Sequence, residues 1–177
     1  FKLWLESTNI LTNILSNDIC IDSEAMLYDI QSRANLFVKT SAYDQALECL
    51  KKNNVLIIIG APGVGKTITS QMLVLYYAAQ GYRVRYTTDG ADLAGLKKAL
   101  SQSKETKEVI LLDDCFGQAY FSMKETQENE LLSLIRYVKM NPNKVLIMNS
   151  RVTIYREAQE RTPALVSSLD RKEYKAY

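Results

Sequence analysis

Short apolar runs alternate with amphipathic segments over most of the chain. The sequence predicts four strands, at residues 55–59, 82–87, 108–114 and 144–149. Residues 55–59 form a continuous apolar run, as expected of a strand buried on both faces, whereas strand 82–87 has a polar alternate face. Apolar residues at helical spacing predict five helices, at 42–52, 66–80, 92–102, 123–140 and from 152 until Pro163 interrupts it. The tail is predicted to be helical before a last short strand. Such alternation predicts an α/β fold of three layers, in which helices flank a central parallel sheet of about five strands.

The N-terminal part of the chain shows helical spacing without intervening strands. Its apolar residues fall near one helix face, at Leu3, Trp4, Ile10, Leu11, Ile14 and Leu15. A second helix is predicted at 23–33 and an extended link at 34–40, while Ser41 and Asp44 fit a helix-capping box. We therefore expect two units, a helical N-terminal segment at 1–34 and an α/β core at 35–177.

Length and charge restrict the classes of protein to consider. The 177 residues suffice for one domain with a real core, and a chain that begins with Phe1 is expected to be a fragment of a longer protein. The net charge is only +2, and the basic residues are dispersed, which disfavours nucleic-acid binding through this domain. No run approaches the ~18 apolar residues of a membrane helix, and no signal peptide is visible.

Cysteine and histidine usage restricts the chemistry. The chain has three widely spaced cysteines and no histidine. This usage argues against a disulfide framework and fits a reducing, cytoplasmic location. It also excludes a histidine-activated nucleophile and an imidazole metal ligand, so any catalysis must use Lys, Arg, carboxylates, hydroxyls, backbone amides or a bound ion.

A glycine-rich loop follows the first predicted strand. Residues 60–67, "GAPGVGKT", match GxxxxGK[ST] between a strand and a helix, which is the context that a phosphate-binding loop requires. Glycines let the backbone curl around a phosphate, the lysine would span the β- and γ-phosphates, and the threonine hydroxyl would hold Mg²⁺. The alternative is a glycine-rich turn with no ligand. The predicted nucleotide contacts are Gly60, Ala61, Pro62, Gly63, Val64, Gly65, Lys66, Thr67 and Ile68.

Two aspartates stand at the carboxyl end of the strand "VILLDD". Asp113 would hold Mg²⁺, because this ion prefers oxygen ligands, and the interval from Lys66 predicts an additional strand between the loop strand and this one. Asp114 would orient or deprotonate the attacking water, as a catalytic residue together with Lys66 and Arg151. The alternatives are an N-cap or turn role for either aspartate, and Cys115 is expected to fill the core.

The fourth strand and the link before the helix at 42–52 supply further candidates. The strand "KVLIMNSR" ends in Asn149, Ser150 and Arg151. If it lies between the loop strand and the acidic strand, these side chains open toward the γ-phosphate, which the Arg151 guanidinium could sense. The alternative is a solvated arginine. In the link, Phe37, Val38 and Tyr43 are candidate adenine contacts or plain core residues.

The stretches "YDQALECLKKNNVLIIIGAPGVGKT", "VILLDDCFGQAY" and "VLIMNSRVTIYREA" support a family resemblance. From about residue 35 to 177, the chain resembles the core of STAND-type P-loop NTPases, the signalling class that includes NLR-like immune proteins. It is most similar to the third "novel STAND NTPase" subtype. The link lacks the "GRE"-like signature of many relatives, and the chain ends about where a fifth strand and a lid domain would begin.

The resemblance implies a Mg²⁺-dependent ATPase that hydrolyses ATP slowly and switches between ATP- and ADP-bound states, in a larger defence or regulatory protein. Effector and sensor domains are then expected elsewhere in the full-length chain, and nucleotide-dependent self-association is expected of such a switch. The resemblance gives Lys66, Thr67, Asp113, Asp114 and Arg151 the roles stated above.

Other functions remain open from the sequence. A motor ATPase of the AAA+ or DNA-translocating kind would use an arginine finger, for which Arg156 and Arg161 are available. A small-molecule kinase would need an acceptor pocket and a flexible lid, and no arginine-rich lid segment is evident. A binding module without turnover is the fourth alternative.

Overall fold

Parallel strands form the centre of the molecule in a computed structural model, which describes residues 18–88, 92–169 and 175–176. The strands are β1 Val55–Gly60, β2 Arg83–Thr88, β3 Glu108–Asp113, β4 Lys144–Arg151 and β5 Lys175–Ala176. They form one sheet in the order β2-β3-β4-β1-β5, and every paired strand is parallel. The sheet thus has four full strands rather than the predicted count of about five, since β5 contributes two residues beside β1.

The position of β4 decides how the strand ends are arranged. It lies between β1 and β3, as the interval between Lys66 and Asp113 predicted. In the register, Gly60 pairs with Arg151 and Ile58 pairs with Asn149. Because carboxyl ends of parallel strands meet at one edge of a sheet, the glycine loop, the acidic residues and the "NSR" segment lie at the same edge.

Helices cover both faces of this sheet. They are α1 Asp18–Arg33, α2 Ser41–Asn53, α3 Lys66–Ala78, α4 Leu93–Ala99, α5 Glu125–Lys139, α6 Val152–Arg161 and α7 Pro163–Leu169. Alternate β1 side chains point to opposite faces. Ile57 and Ile59 join a core cluster with α4 to α7, whereas Leu56 and Ile58 join one with α1 to α3. The predicted three-layer α/β fold is confirmed.

Several predicted boundaries need correction. The N-cap of α2 is Thr40 rather than Ser41, because the Thr40 hydroxyl accepts from the Tyr43 N–H at 3.3 Å. Helix α4 is shorter than predicted, since the backbone is extended at Leu100. Strand β3 ends at Asp113, because Asp114 has a left-handed backbone with φ 49°.

The N-terminal helix α1 packs on the core. Met26, Leu27 and Ile30 are buried in the cluster shared with α2 and α3. The backbone N–H of Tyr86 on the edge strand β2 donates to the Ser23 hydroxyl at 3.0 Å. The link predicted to be extended instead begins with a 3₁₀ turn, Ala34–Leu36. The helix predicted for the first residues lies outside the described residues, and the domain boundary at residue 34 stays a prediction.

None of the helices in the described part of the chain combines the length and the apolar composition that crossing a membrane requires.

Candidate functional site

The glycine loop joins β1 directly to α3. Gly63 and Gly65 have φ of 79° and 87°, a region that residues with a side chain rarely adopt. A Cβ on Gly60 would lie 2.9 Å from a methyl group of Val64, so a larger residue there would require the Val64 side chain to move. Gly65 is the N-cap of α3, and the free N–H groups at the start of this 13-residue helix form an anion-binding site.

Lys66 is held inside the loop. Its ammonium donates to the Ala61 carbonyl oxygen at 2.8 Å, which folds the side chain over the loop. Partial burial lowers the pKa of Lys66, and the nearby Arg151 charge lowers it further, while Asp114 and Asp113 oppose the shift. The sequence candidates Lys66, Asp113, Asp114 and Arg151 therefore share one electrostatic neighbourhood.

Thr67 and Asp113 come from different elements and meet at this edge. The Thr67 hydroxyl donates to the Asp113 carboxylate at 3.4 Å. Two oxygen groups at this separation fit Mg²⁺, which takes oxygen ligands and usually keeps several waters beside one or two protein groups. The residues predicted to hold the metal are thus brought together.

Asn149 lies beneath the two aspartates and is fully buried. Its amide nitrogen donates to Asp113 Oδ1 and to the Ser70 hydroxyl, the latter at 3.2 Å. Its amide oxygen accepts from the Asp114 N–H at 2.8 Å. The sequence predicted that Asn149 opens toward a phosphate, but its amide is engaged by α3 and the end of β3. The hydrogen-bonding role of Ser70 was missed, and its only sequence signal is a serine one helical turn after Lys66.

Asp114 begins the turn that follows β3. Its carbonyl oxygen accepts from the Gly117 N–H at 2.8 Å, and its side chain is half-buried. The next two residues, Cys115 and Phe116, are fully buried and fix the turn to the core. Burial raises the pKa of the Cys115 thiol, so Cys115 fills the core as expected and remains protonated.

Arg151 stands where β4 passes into α6. It is the last residue of the strand and the N-cap of the helix, and it is half-buried. Of the two arginines available as fingers in the motor alternative, Arg156 is exposed on α6, and the Arg161 guanidinium lies 5.7 Å from the centre of the Phe121 ring.

A cavity of about 500 Å³ adjoins the loop on the side of the link. Among the predicted base contacts, Phe37 and Val38 line it together with Val64, Gly65 and Ile68. Tyr43 does not line it. Its buried ring packs edge-on against Phe37, with 5.4 Å between ring centres. The sequence did not identify Arg33, Leu36 or Thr69, which also line the cavity.

The family model described as "Novel STAND NTPase 3" matches residues 37–176. The match covers most of the chain and includes the loop, both aspartates and Arg151. The chain belongs to the novel STAND NTPase 3 family. The predicted resemblance is confirmed. By family and by fold, the chain is a nucleotide-binding P-loop NTPase domain.

Solved structures show more distant likenesses. AMPPCP-bound DnaA from Aquifex aeolicus is 25% identical, with a TM-score of 0.46 over 65% of this chain and 40% of that one. The DnaC helicase loader is 21% identical, with a TM-score of 0.42 over 94% and 88% of the two chains. Pif1 helicase from Candida albicans is 14% identical, with a TM-score of 0.43 over 66% and 33%. The novel STAND NTPase 3 domain thus spans less than half the length of the DnaA chain. No curated protein matches it.

Proposed function

We propose that this domain binds ATP with Mg²⁺, hydrolyses it slowly and acts as a nucleotide-controlled switch in a larger defence or regulatory protein. The observation that carries the proposal is the convergence of three strand ends on the loop. The Thr67 hydroxyl reaches the Asp113 carboxylate at 3.4 Å, and the charges of Asp114 and Arg151 act on Lys66. Family membership supports nucleotide binding.

The loop residues would bind the phosphates. The backbone N–H groups that start α3 would surround the β-phosphate, and the Lys66 ammonium would exchange the Ala61 carbonyl for phosphate oxygens. Thr67 and Asp113 would hold the ion, Asp113 through its water shell. When bound, Mg²⁺ neutralises developing charge on the phosphates.

Asp114 and Arg151 would face the terminal phosphate. The Asp114 carboxylate would orient or deprotonate the attacking water, and the Arg151 guanidinium would make forked hydrogen bonds to γ-phosphate oxygens. Aspartate is one methylene shorter than the glutamate used by many such ATPases, so its reach to the water is reduced. This shorter reach supports slow rather than rapid hydrolysis.

The same contacts would make the domain a switch. Arg151 joins β4 to α6, so the presence of the γ-phosphate would bear directly on the start of α6. ATP and ADP differ at this phosphate, and a ligand shifts a conformational equilibrium only by its differential contacts. The proposal has three further parts. Effector and sensor domains lie elsewhere in the full-length protein, the domain associates with itself in a nucleotide-dependent way, and this chain divides into segments 1–34 and 35–177.

The test combines binding and single-turnover hydrolysis. ATP with Mg²⁺ should raise the melting temperature of the wild type. Lys66→Ala should abolish this increase, because the Lys66 ammonium offsets the repulsion among the negative charges of the bound phosphates. Lys52→Ala is the matched control, since Lys52 is exposed at the end of α2, away from the loop.

Hydrolysis then separates the candidate functions. Slow single-turnover hydrolysis that falls further in Asp114→Ala supports an ATPase switch. An unchanged ATP-induced increase in Lys66→Ala would refute the site, and rapid turnover stimulated by DNA would favour a motor instead.

A further inference from the structure

The cavity beside the loop has one charged group in its wall. Of the lining residues that the structure describes, Arg33 alone carries a charge. It is the last residue of α1 and precedes the part of the chain that the family model matches. The family match therefore assigns it no role.

The geometry of α1 fixes Arg33 at this position. Helix α1 is anchored by its buried residues Leu27 and Ile30 and by the hydrogen bond between Ser23 and the edge strand. The Arg33 guanidinium bonds Asp29, one helical turn earlier, with 3.0 Å between nitrogen and oxygen. This ion pair engages one nitrogen of the guanidinium, and the Arg33 side chain remains 61% exposed beside the cavity. A guanidinium plane in such a position can stack on a planar partner.

The mouth of the cavity indicates what that partner is. Leu36, Val38 and Val64 are 81%, 77% and 62% exposed around the opening. Single exposed apolar residues are ordinary, but three around one cavity form a patch that a ligand can cover. The cavity volume lies in the range of small-molecule sites, and the phosphate-binding loop forms one wall. A planar, weakly polar ring attached to phosphates fits these walls.

We propose that Arg33 is a nucleotide-binding residue that stacks its guanidinium on the base of the bound nucleoside triphosphate. This inference rests on the proposed binding of ATP and adds helix α1 to the nucleotide site. Stacking between a base and a guanidinium or aromatic plane tolerates different bases and weakens binding measurably when it is removed. The base would lie between Arg33 and the apolar wall formed by Phe37 and Ile68.

Calorimetric titration of the full chain with ATP and with inorganic tripolyphosphate tests this role. Arg33→Ala should weaken ATP binding about tenfold, as the loss of one base-stacking contact does, and should leave tripolyphosphate binding unchanged. Arg33→Lys should not restore ATP affinity, because lysine keeps the charge and loses the plane. Arg83→Ala is the control, since Arg83 is an exposed arginine at the start of β2.

NMR of the arginine side chains provides a direct second readout. The Nε–H proton of Arg33, assigned by its loss in Arg33→Lys, should move upfield when ATP binds, because it enters the shielding region of the base. Tripolyphosphate should cause no such shift. The proposal is overturned if ATP binds without this shift, if Arg33→Ala retains wild-type ATP affinity, or if Arg33→Lys restores it. A wild type that binds no ATP would instead refute the proposed function.

Discussion

The buried amide of Asn149 connects both acidic residues of the site. Its nitrogen donates to the Asp113 carboxylate, and its oxygen accepts from the backbone N–H of Asp114, which is 35 residues away in sequence. A carboxylate held by a buried donor keeps a fixed orientation, and a backbone N–H fixed by a side chain sets the start of the following turn. Asn149 thereby positions the candidate metal ligand and the candidate base together.

Replacing Asn149 should therefore affect stability and hydrolysis together. Asn149→Ala leaves the Asp114 N–H and the Ser70 hydroxyl without this partner, and an unsatisfied buried polar group costs about 1–3 kcal/mol. We expect the free energy of unfolding in urea to fall by about this amount and Mg²⁺-dependent hydrolysis to fall further than the affinity for ATP.

The neighbouring residue is the matched control. Ser150 is also fully buried, but within the described part of the chain its hydroxyl donates only to the adjacent Arg151 carbonyl, at 3.3 Å. Ser150→Ala should cost less stability than Asn149→Ala and should leave hydrolysis near the wild-type rate. Equal effects of the two substitutions would contradict a special role for the Asn149 amide.

The backbone of Asp114 allows its side-chain role to be separated from its conformation. At φ 49°, a non-glycine residue carries a strain of about 1–2 kcal/mol, less for aspartate and asparagine. Asp114→Gly should therefore be more stable than Asp114→Ala by up to about 1 kcal/mol, after allowing for the greater flexibility of glycine in the unfolded chain.

Both variants should lose hydrolysis, because neither has a carboxylate. Urea unfolding and single-turnover hydrolysis measure the two effects independently. Hydrolysis at the wild-type rate in Asp114→Gly would remove Asp114 from the proposed mechanism while leaving the turn geometry intact.

Much of this edge of the sheet could be predicted from the sequence, because each part has a local signal. The loop at 60–67 has a fixed spacing between a strand and a helix, and the strand before Asp113 is a continuous apolar run. The length of chain between the two motifs predicted one additional strand between the loop strand and the acidic strand, and β4 occupies that position. These features depend on neighbouring residues or on chain length, which a sequence displays directly.

Features that depend on distant contacts could not be predicted in this way. Asn149 was recognised at a strand end, but its bonds to Asp113 and Ser70 join three elements. Arg33 was assigned to a separate N-terminal segment, because nothing in its local sequence indicates that α1 ends beside the loop. Tyr43 and Phe37 gave the same aromatic signal, and only packing separates the ring that lines the cavity from the one behind it.

The lowered pKa of Lys66 predicts a pH dependence of ATP binding. The negative charge of a bound phosphate favours the protonated form of Lys66 and raises its pKa. ATP binding is therefore accompanied by proton uptake at a pH where Lys66 of the free protein is neutral. ATP affinity should therefore decline as pH rises through the pKa that Lys66 has in the nucleotide-free protein. Because that pKa is lowered mainly by burial, the decline should begin at a lower pH than for an ordinary lysine.

Two substitutions should move the onset of this decline in opposite directions. Arg151→Met removes a charge that lowers the Lys66 pKa, so the onset should move to higher pH. Asp114→Asn removes a charge that raises it, so the onset should move to lower pH. Calorimetric titration with ATP across alkaline pH measures the onset separately from the affinity itself, and shifts in the same direction would contradict the assignment.

A second buried charge cluster lies at the opposite edge of the sheet, at the amino ends of the strands. Glu108 is fully buried between Lys144, at 2.6 Å, and Arg85, at 3.1 Å. The Lys144 ammonium also donates to the carbonyl oxygens of Ser101 and Thr106. The cluster thus ties the loop between α4 and β3 to the sheet. The sequence predicted only that strand 82–87 has a polar alternate face, and Arg85 on that strand is buried in this cluster.

Breaking this cluster should destabilise the fold without altering the nucleotide site. Glu108→Gln leaves the buried Lys144 charge without its carboxylate, and removing one partner of a buried ion pair costs about 3–5 kcal/mol. Urea unfolding should show this loss, and the double variant Glu108→Gln with Lys144→Met should recover part of it because no orphaned ammonium remains. The increase in melting temperature produced by saturating ATP should be retained in every variant that folds, since the cluster and the loop lie at opposite ends of the strands. A loss of that increase in the stable double variant would show that the two edges are coupled.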